Sequence, residues 1–144
     1  MTKKLKLEEL GRIDVETFKK TKKIPLVVVL DNIRSMHNVG AAFRTADAFL
    51  VEKIILCGIT PKPPHREIHK AALGATESVD WQFYDSVKEA VIDLKTIGYE
   101  VVGIEQTTNS VMITDFEIDQ SKKYALVLGN EVEGISDEIL TDLD

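Results

Sequence analysis

Asn38, Gly40 and Arg44 stand at a spacing that could hold an anion and act beside it. They fall where an apolar run has ended and helical spacing begins. A helix starting there would aim free backbone N–H groups and a positive dipole end outward. Arg44, four residues past Gly40, would reach back toward the same anion, and Arg34 adds a second cation upstream. A plainer reading is equally open: Asn38 caps a helix, Gly40 permits close packing and Arg44 makes a surface pair. A second segment, Gly129, Asn130, Glu131 and Gly134, follows another apolar run. Its glycines let the backbone turn tightly and approach a ligand with no Cβ in the way. Neither G-x-G-x-x-G nor G-x-x-x-x-G-K-[ST] occurs, so dinucleotide and nucleoside triphosphate sites lose support.

The elements that must position these residues alternate along the chain. Strands are predicted over residues 24–30, 54–57, 79–84, 99–104 and 124–128, each nearly all apolar. Helices are predicted over 15–22, capped by Asp14, over 39–50, capped by Asn38, and over 86–97, with Gly98 at the position after the cap. A last helix capped by Ser136 is expected to be still running at Asp144. The prolines near residues 60–67 predict an irregular stretch there. This order predicts an α/β domain, a parallel sheet with helices on both faces. In such sheets ligands sit outside the carboxyl ends of the strands, where the polar segments 31–40, 105–109 and 129–134 would converge.

Composition sets the outer limits. The chain has 144 residues, 44% hydrophobic and 29% charged, which suits one globular domain. The apolar runs are too short to cross a bilayer, and no apolar h-region follows the charged start. A single cysteine, Cys57, excludes an internal disulfide and predicts a reducing, cytoplasmic setting. The net charge of −6 is unevenly spread: residues 1–23 carry +4 and the remainder −10. The basic segment 1–23, an arm or short helix ahead of a domain over 24–144, can lie along a phosphate backbone or be a solvated arm.

Taken together, the two glycine-bearing segments resemble motifs 1 and 2 of the SpoU family of RNA ribose 2′-O-methyltransferases. The match covers about residues 24–142, and Asn38, Gly40, Arg44 and Ala46 reproduce the family's Asn-x-Gly-x-x-x-Arg-x-Ala. The segment from Lys70 to Ala75 resembles the family's Gly-Ala stretch. The resemblance implies a SPOUT fold with a C-terminal trefoil knot, S-adenosylmethionine as cofactor, tRNA or rRNA as partner, and a homodimer. It also implies that the family's third motif, which closes the knot and part of the pocket, would follow Asp144, so the chain reads as cut short before it.

Carried over by motif, Arg44, Asn38 and Glu131 are the expected catalytic group. A ribose hydroxyl must lose its proton as it attacks, which calls for a base or an electrostatic aid. Arginine stays protonated, so a clamp on the adjacent phosphate is favoured over a base, with Asn38 and Glu131 orienting the arginine and the RNA backbone. Glu105, Gln106, Thr107, Gly129, Asn130 and Gly134 are expected to line the cofactor, Gly129 and Asn130 through main-chain groups. Arg34, Gly40, Arg66 and Lys70 are expected to meet RNA. His65 and His69 lack a third ligand, so no metal is expected. Cys57 reads as a buried inert thiol, and Trp81, Phe83 and Tyr84 as packing more than base stacking. Two rival functions remain in view: an inactive RNA-binding or dimerising domain of the same fold, and a phosphoester-binding α/β enzyme built on Asn38 and Arg44.

Overall fold

The computed structural model describes residues 1–144. Five strands, β1 (Ile24–Asp31), β2 (Val51–Cys57), β3 (Trp81–Tyr84), β4 (Tyr99–Ile104) and β5 (Lys123–Leu128), form one sheet in the order β3-β2-β1-β5-β4. Every pairing is parallel. The β-branched runs explain this: Val27, Val29, Ile54, Ile55 and Val127 are buried on a sheet covered from both sides.

Successive side chains of a strand point to opposite faces, and each face has its own core. On one, Val27, Val29, Val101, Ala125 and Val127 pack against α5 (Val87–Thr96) and α6 (Asp137–Leu140) through Val91, Leu94 and Ile139. On the other, Leu30, Ile54 and Leu56 pack with α2 (Met36–Ala48), α3 (Arg66–Ala72) and α4 (Ala75–Ser78) through Val39, Phe43, Ile68 and Ala75. The basic segment forms α1 (Val15–Lys20), capped by Asp14, which accepts from Thr17 N–H at 2.7 Å. Phe18 inserts from α1 into the second core, so this helix is docked on the domain.

Three differences from the sequence reading bear on the helices around the site. α2 begins at Met36, because Ser35, not Asn38, is the cap: its hydroxyl accepts from Asn38 N–H at 3.2 Å. The stretch expected to be irregular gives way at Arg66 to α3, capped by His65 Nδ1, which accepts from Glu67 N–H at 3.1 Å. The last helix, expected to run on, is the short α6, ending at Leu140. Ser136 stands at its cap position but makes no side-chain cap bond there.

The strand order reverses direction between β1 and β5. From β1 the chain proceeds through β2 to β3 at one edge, then crosses to β4 at the other edge and returns through β5. The loops leaving β1 and β5 therefore part to opposite sides of one crevice, which is where open α/β sheets bind ligands.

Candidate active site

The crevice is built from the β5–α6 loop, 129–136, fastened to its neighbours by three carboxylates. Glu131 accepts hydrogen bonds from Arg34 N–H at 2.9 Å, Ser35 N–H at 3.0 Å and Asn38 Nδ2 at 2.9 Å. Asp31, fully buried at the end of β1, accepts from Ser136 N–H at 2.7 Å and from the Ser136 hydroxyl at 3.0 Å. Glu105, just past β4, accepts from Ile135 N–H at 2.8 Å. Each of these bonds from an amide N–H to a carboxylate is charge-assisted, the stronger kind.

The anion at the start of α2 is thus supplied by the protein itself. The sequence reading placed an external anion at the helix N-terminus beside Asn38; the Glu131 carboxylate lies there instead. Some desolvation works against its ionisation, but the bonds from Arg34, Ser35 and Asn38 prevail and hold its pKa down at about 2. Asn38 reaches Glu131 from the first turn of α2, and neither residue hydrogen-bonds Arg44.

Arg44 lies in the third turn of α2 and is exposed, with no ion pair or hydrogen bond to another side chain. It follows Gly40 by four residues and so leaves the helix on the same side. Gly40 itself is buried: a Cβ there would lie 2.7 Å from Ala71 Cβ and closer still to the Ile68 carbonyl. Its expected RNA contact is corrected to a packing role, letting α2 and α3 approach. Arg44 thereby sits toward α3, whose exposed residues include Arg66 and Lys70, the latter paired with Glu67 at 3.0 Å. Arg34 is exposed in the β1–α2 loop.

Beside the loop lies a polar cleft of about 310 Å³, lined by Ile104, Glu105 and residues 129–134. Of the residues expected at a cofactor, Glu105, Gly129, Asn130 and Gly134 line it, whereas Gln106 and Thr107 do not. Asn130 shapes the loop more than it offers groups to a ligand. Its N–H donates to Gly134 O at 2.9 Å and its carbonyl accepts from Gly134 N–H at 3.0 Å. Its side chain donates to Asn32 O at 2.7 Å and accepts from Val132 and Glu133 N–H. Gly129 has no room for a Cβ, which would overlap the backbone of Gly134 and Ile135.

Asp31, Asn32 and Ser136 went unmarked as site residues in the sequence. Asn32 adopts φ +52° and donates to Asp31 Oδ1 at 3.0 Å, while its oxygen accepts from Ile59 N–H at 3.0 Å. One signal was available: Asp31 is an acid ending an otherwise apolar run, and a buried carboxylate must find donors. The thiol of Cys57 is fully buried, and burial, then the charge of Asp31, pushes its pKa up to about 12, which keeps it inert. Trp81 and Phe83 pack on the second core and Tyr84 on the first.

Next to the crevice, the sheet face over β1 and β5 carries an apolar trough of about 620 Å³. Leu26, Val28, Leu126 and Leu128 form its floor and Phe49 its far rim, and it opens onto Asn38, Gly129 and Glu131.

A parallel α/β sheet with a loop-built crevice at its switch point defines a ligand-binding domain of the doubly wound kind. Residues 25–144 match the SpoU rRNA Methylase family, and the chain belongs to that family. It is 30% identical to the 23S rRNA (guanosine-2′-O-)-methyltransferase of Neisseria meningitidis serogroup B, over 77% of this chain and 43% of that protein. With the tRNA (guanosine(18)-2′-O)-methyltransferase of Aquifex aeolicus the identity is 33%, over 83% of this chain and 55% of the relative. Among solved structures, the AdoMet-bound rRNA methyltransferase from Sinorhizobium meliloti superposes with a TM-score of 0.76 at 26% identity, covering 88% of this chain and 48% of that one. The chain spans about half the length of the curated relatives it matches.

Proposed function

We propose that the chain catalyses methyl transfer from S-adenosylmethionine to a ribose 2′-hydroxyl of tRNA or rRNA. The observation that carries this reading is the convergence, at the β1/β5 switch point, of the motif-bearing loop 31–38 with a glycine-bounded cleft. The cleft suits the cofactor's chemistry. Glu105, Glu131 and Glu133 make its surroundings anionic, which favours a sulfonium cation, and Gly129 and Gly134 keep its wall close to bare backbone. When bound, that group supplies an electrophilic methyl.

The chain's own residues position the other reactant. Arg44 remains a cation and holds the phosphate next to the target ribose, which orients the hydroxyl. Arg34 adds a contact from the β1–α2 loop, and Arg66 and Lys70 extend the cationic side along α3. Asn38 and Glu131 fix the loop that presents Arg34 and so act as positioning residues. No helix is long and apolar enough to cross a membrane. A reducing, cytoplasmic setting fits the buried, protonated thiol of Cys57.

A homodimer belongs to the same reading. The apolar trough reaches the crevice at Asn38, Gly129 and Glu131, so a second copy seated on it would abut the site. Sedimentation of the protein at micromolar concentration tests this, and a monomer would count against it.

Calorimetric titration with S-adenosylmethionine, followed by transfer of labelled methyl to bulk tRNA and rRNA, tests the activity. Binding and transfer are expected. RNA binding with neither would leave an inactive RNA-binding or dimerising domain in place of the enzyme.

A further inference from the structure

We propose that Glu105 is a positioning residue for the cofactor cleft: its carboxylate latches the β5–α6 loop to the end of β4 and sets the cleft's width. The inference rests on the reading of that cleft as the S-adenosylmethionine site. It gives Glu105 a different task from contact with the cofactor.

Both carboxylate oxygens are engaged. Oε2 accepts from Ile135 N–H and Oε1 from Gln106 N–H, each at 2.8 Å. The bond from Ile135, and after it the bond from Gln106, holds its pKa below the usual carboxylate range despite slight desolvation. A third contact is steric. Gly134 has φ +74°, and a Cβ there would overlap the Glu105 carboxylate. The loop is shaped to admit that group.

The rest of the loop is fastened on the other side of the crevice. Glu131 and Asp31 tie it to the loop and strand end of β1. Glu105 joins it to β4, and beyond the latch Ile135 is buried in the first core. One wall of the cleft is Ile104 and Glu105, the other residues 129–134. Loss of the latch would let the two walls separate while both cores stay packed. The residue type matters too, since both partners are donors. A glutamine oxygen satisfies one N–H and turns its own NH2 toward the other, and aspartate is a methylene too short to span both.

The test compares the native chain with Glu105→Gln, Glu105→Ala and Gly134→Ala by thermal melting, cofactor calorimetry and steady-state kinetics. Loss of a charge-assisted bond predicts cofactor affinity weakened roughly tenfold or more in Glu105→Gln. KM for the cofactor should rise similarly, with kcat at saturation near native and the melting temperature little changed. Gly134→Ala should show the same change in affinity and KM, with a lower melting temperature because φ +74° strains an alanine there, and its effect on affinity should shrink in the Glu105→Ala background, where the overlapping group is gone. Unchanged affinity in Glu105→Gln overturns the latch. So does a fall in kcat with KM fixed, which would put Glu105 in the reaction, and so does failure of the variant to fold, which would make it a general structural residue. A native chain that binds no S-adenosylmethionine overturns the reading of the cleft itself, an outcome separate from all of these.

Discussion

Asn38 donates its side-chain amide to Glu131 at 2.9 Å across the switch point, joining residues 93 apart in the chain. The bond closes a ring with Arg34 N–H and Ser35 N–H on the same carboxylate. The positive end of α2 is thereby neutralised internally, and the loops from β1 and β5 are held as one unit. On the proposed function, substrate phosphate would then be met by side chains further out, Arg34 and Arg44 among them.

Glu131 should titrate near pH 2 in the folded protein, against about 4.5 for an ordinary glutamate carboxyl. A carboxylate with a depressed folded pKa contributes stability that is fully present above its unfolded pKa and is lost as pH falls through the folded one. The tie between the two loops should therefore persist above pH 4.5 and be lost toward pH 2. Carbon-detected NMR of the Glu131 carboxyl gives the midpoint directly, and a value near 4 would mean that the three bonds do not hold in solution.

Replacing Glu131 by Ala should free Arg34 and Ser35 N–H and slacken the loop without opening either core, since Glu131 is exposed. Methyl transfer should fall at least tenfold, roughly the value of one or two hydrogen bonds to a charged group. The melting temperature should move by only a few degrees. Native rates of transfer in Glu131→Ala would show that loop geometry does not limit the reaction.

The fold was largely legible in the sequence and the fastening of the site was not. Apolar runs gave the five strands because burial on both faces leaves a local record in residues such as Val27 to Leu30. The bonds that build the crevice leave none. Asp31 and Ser136 meet across 105 positions, and the local context of Ser136 is that of a helix cap. The local context of Asn38 is equally that of a cap, yet Ser35, three residues earlier, takes that place, and the Asn38 side chain turns to Glu131. A short polar side chain advertises that it will bond to backbone, but not which backbone.

Gly40→Ala should destabilise the domain although alanine favours helix by about 1 kcal/mol over glycine. The added Cβ meets the Ile68 carbonyl and Ala71 Cβ, neither of which can swing away as a long side chain would. Overpacking of this kind costs about 1–3 kcal/mol, so the clash should outweigh the propensity gain. Denaturant unfolding should show a lower midpoint with an unchanged slope. A midpoint at or above the native one would mean that α2 and α3 are free to move apart.

Arg44→Ala should leave the fold intact and remove most methyl transfer. The side chain is exposed and unpaired, and surface changes of this sort shift stability by roughly 0.5 kcal/mol or less. Cofactor affinity should also hold, because Arg44 does not line the cleft beside Glu105 and Gly134. The loss in rate should be about 10²–10³-fold, the usual cost of removing one preorganised electrostatic group. Salt dependence then separates a clamp from a base. An arginine that neutralises one RNA phosphate releases about one counterion on binding, so log affinity against log salt should lose close to one unit of slope in Arg44→Ala. Arg44→Lys should keep that slope but recover only part of the rate, since an ammonium cannot hold a phosphate in the two-pronged manner of a guanidinium. A variant that loses transfer while binding RNA with native affinity and native salt dependence would exclude the clamp, and proton removal would then have to be sought at Arg44 itself.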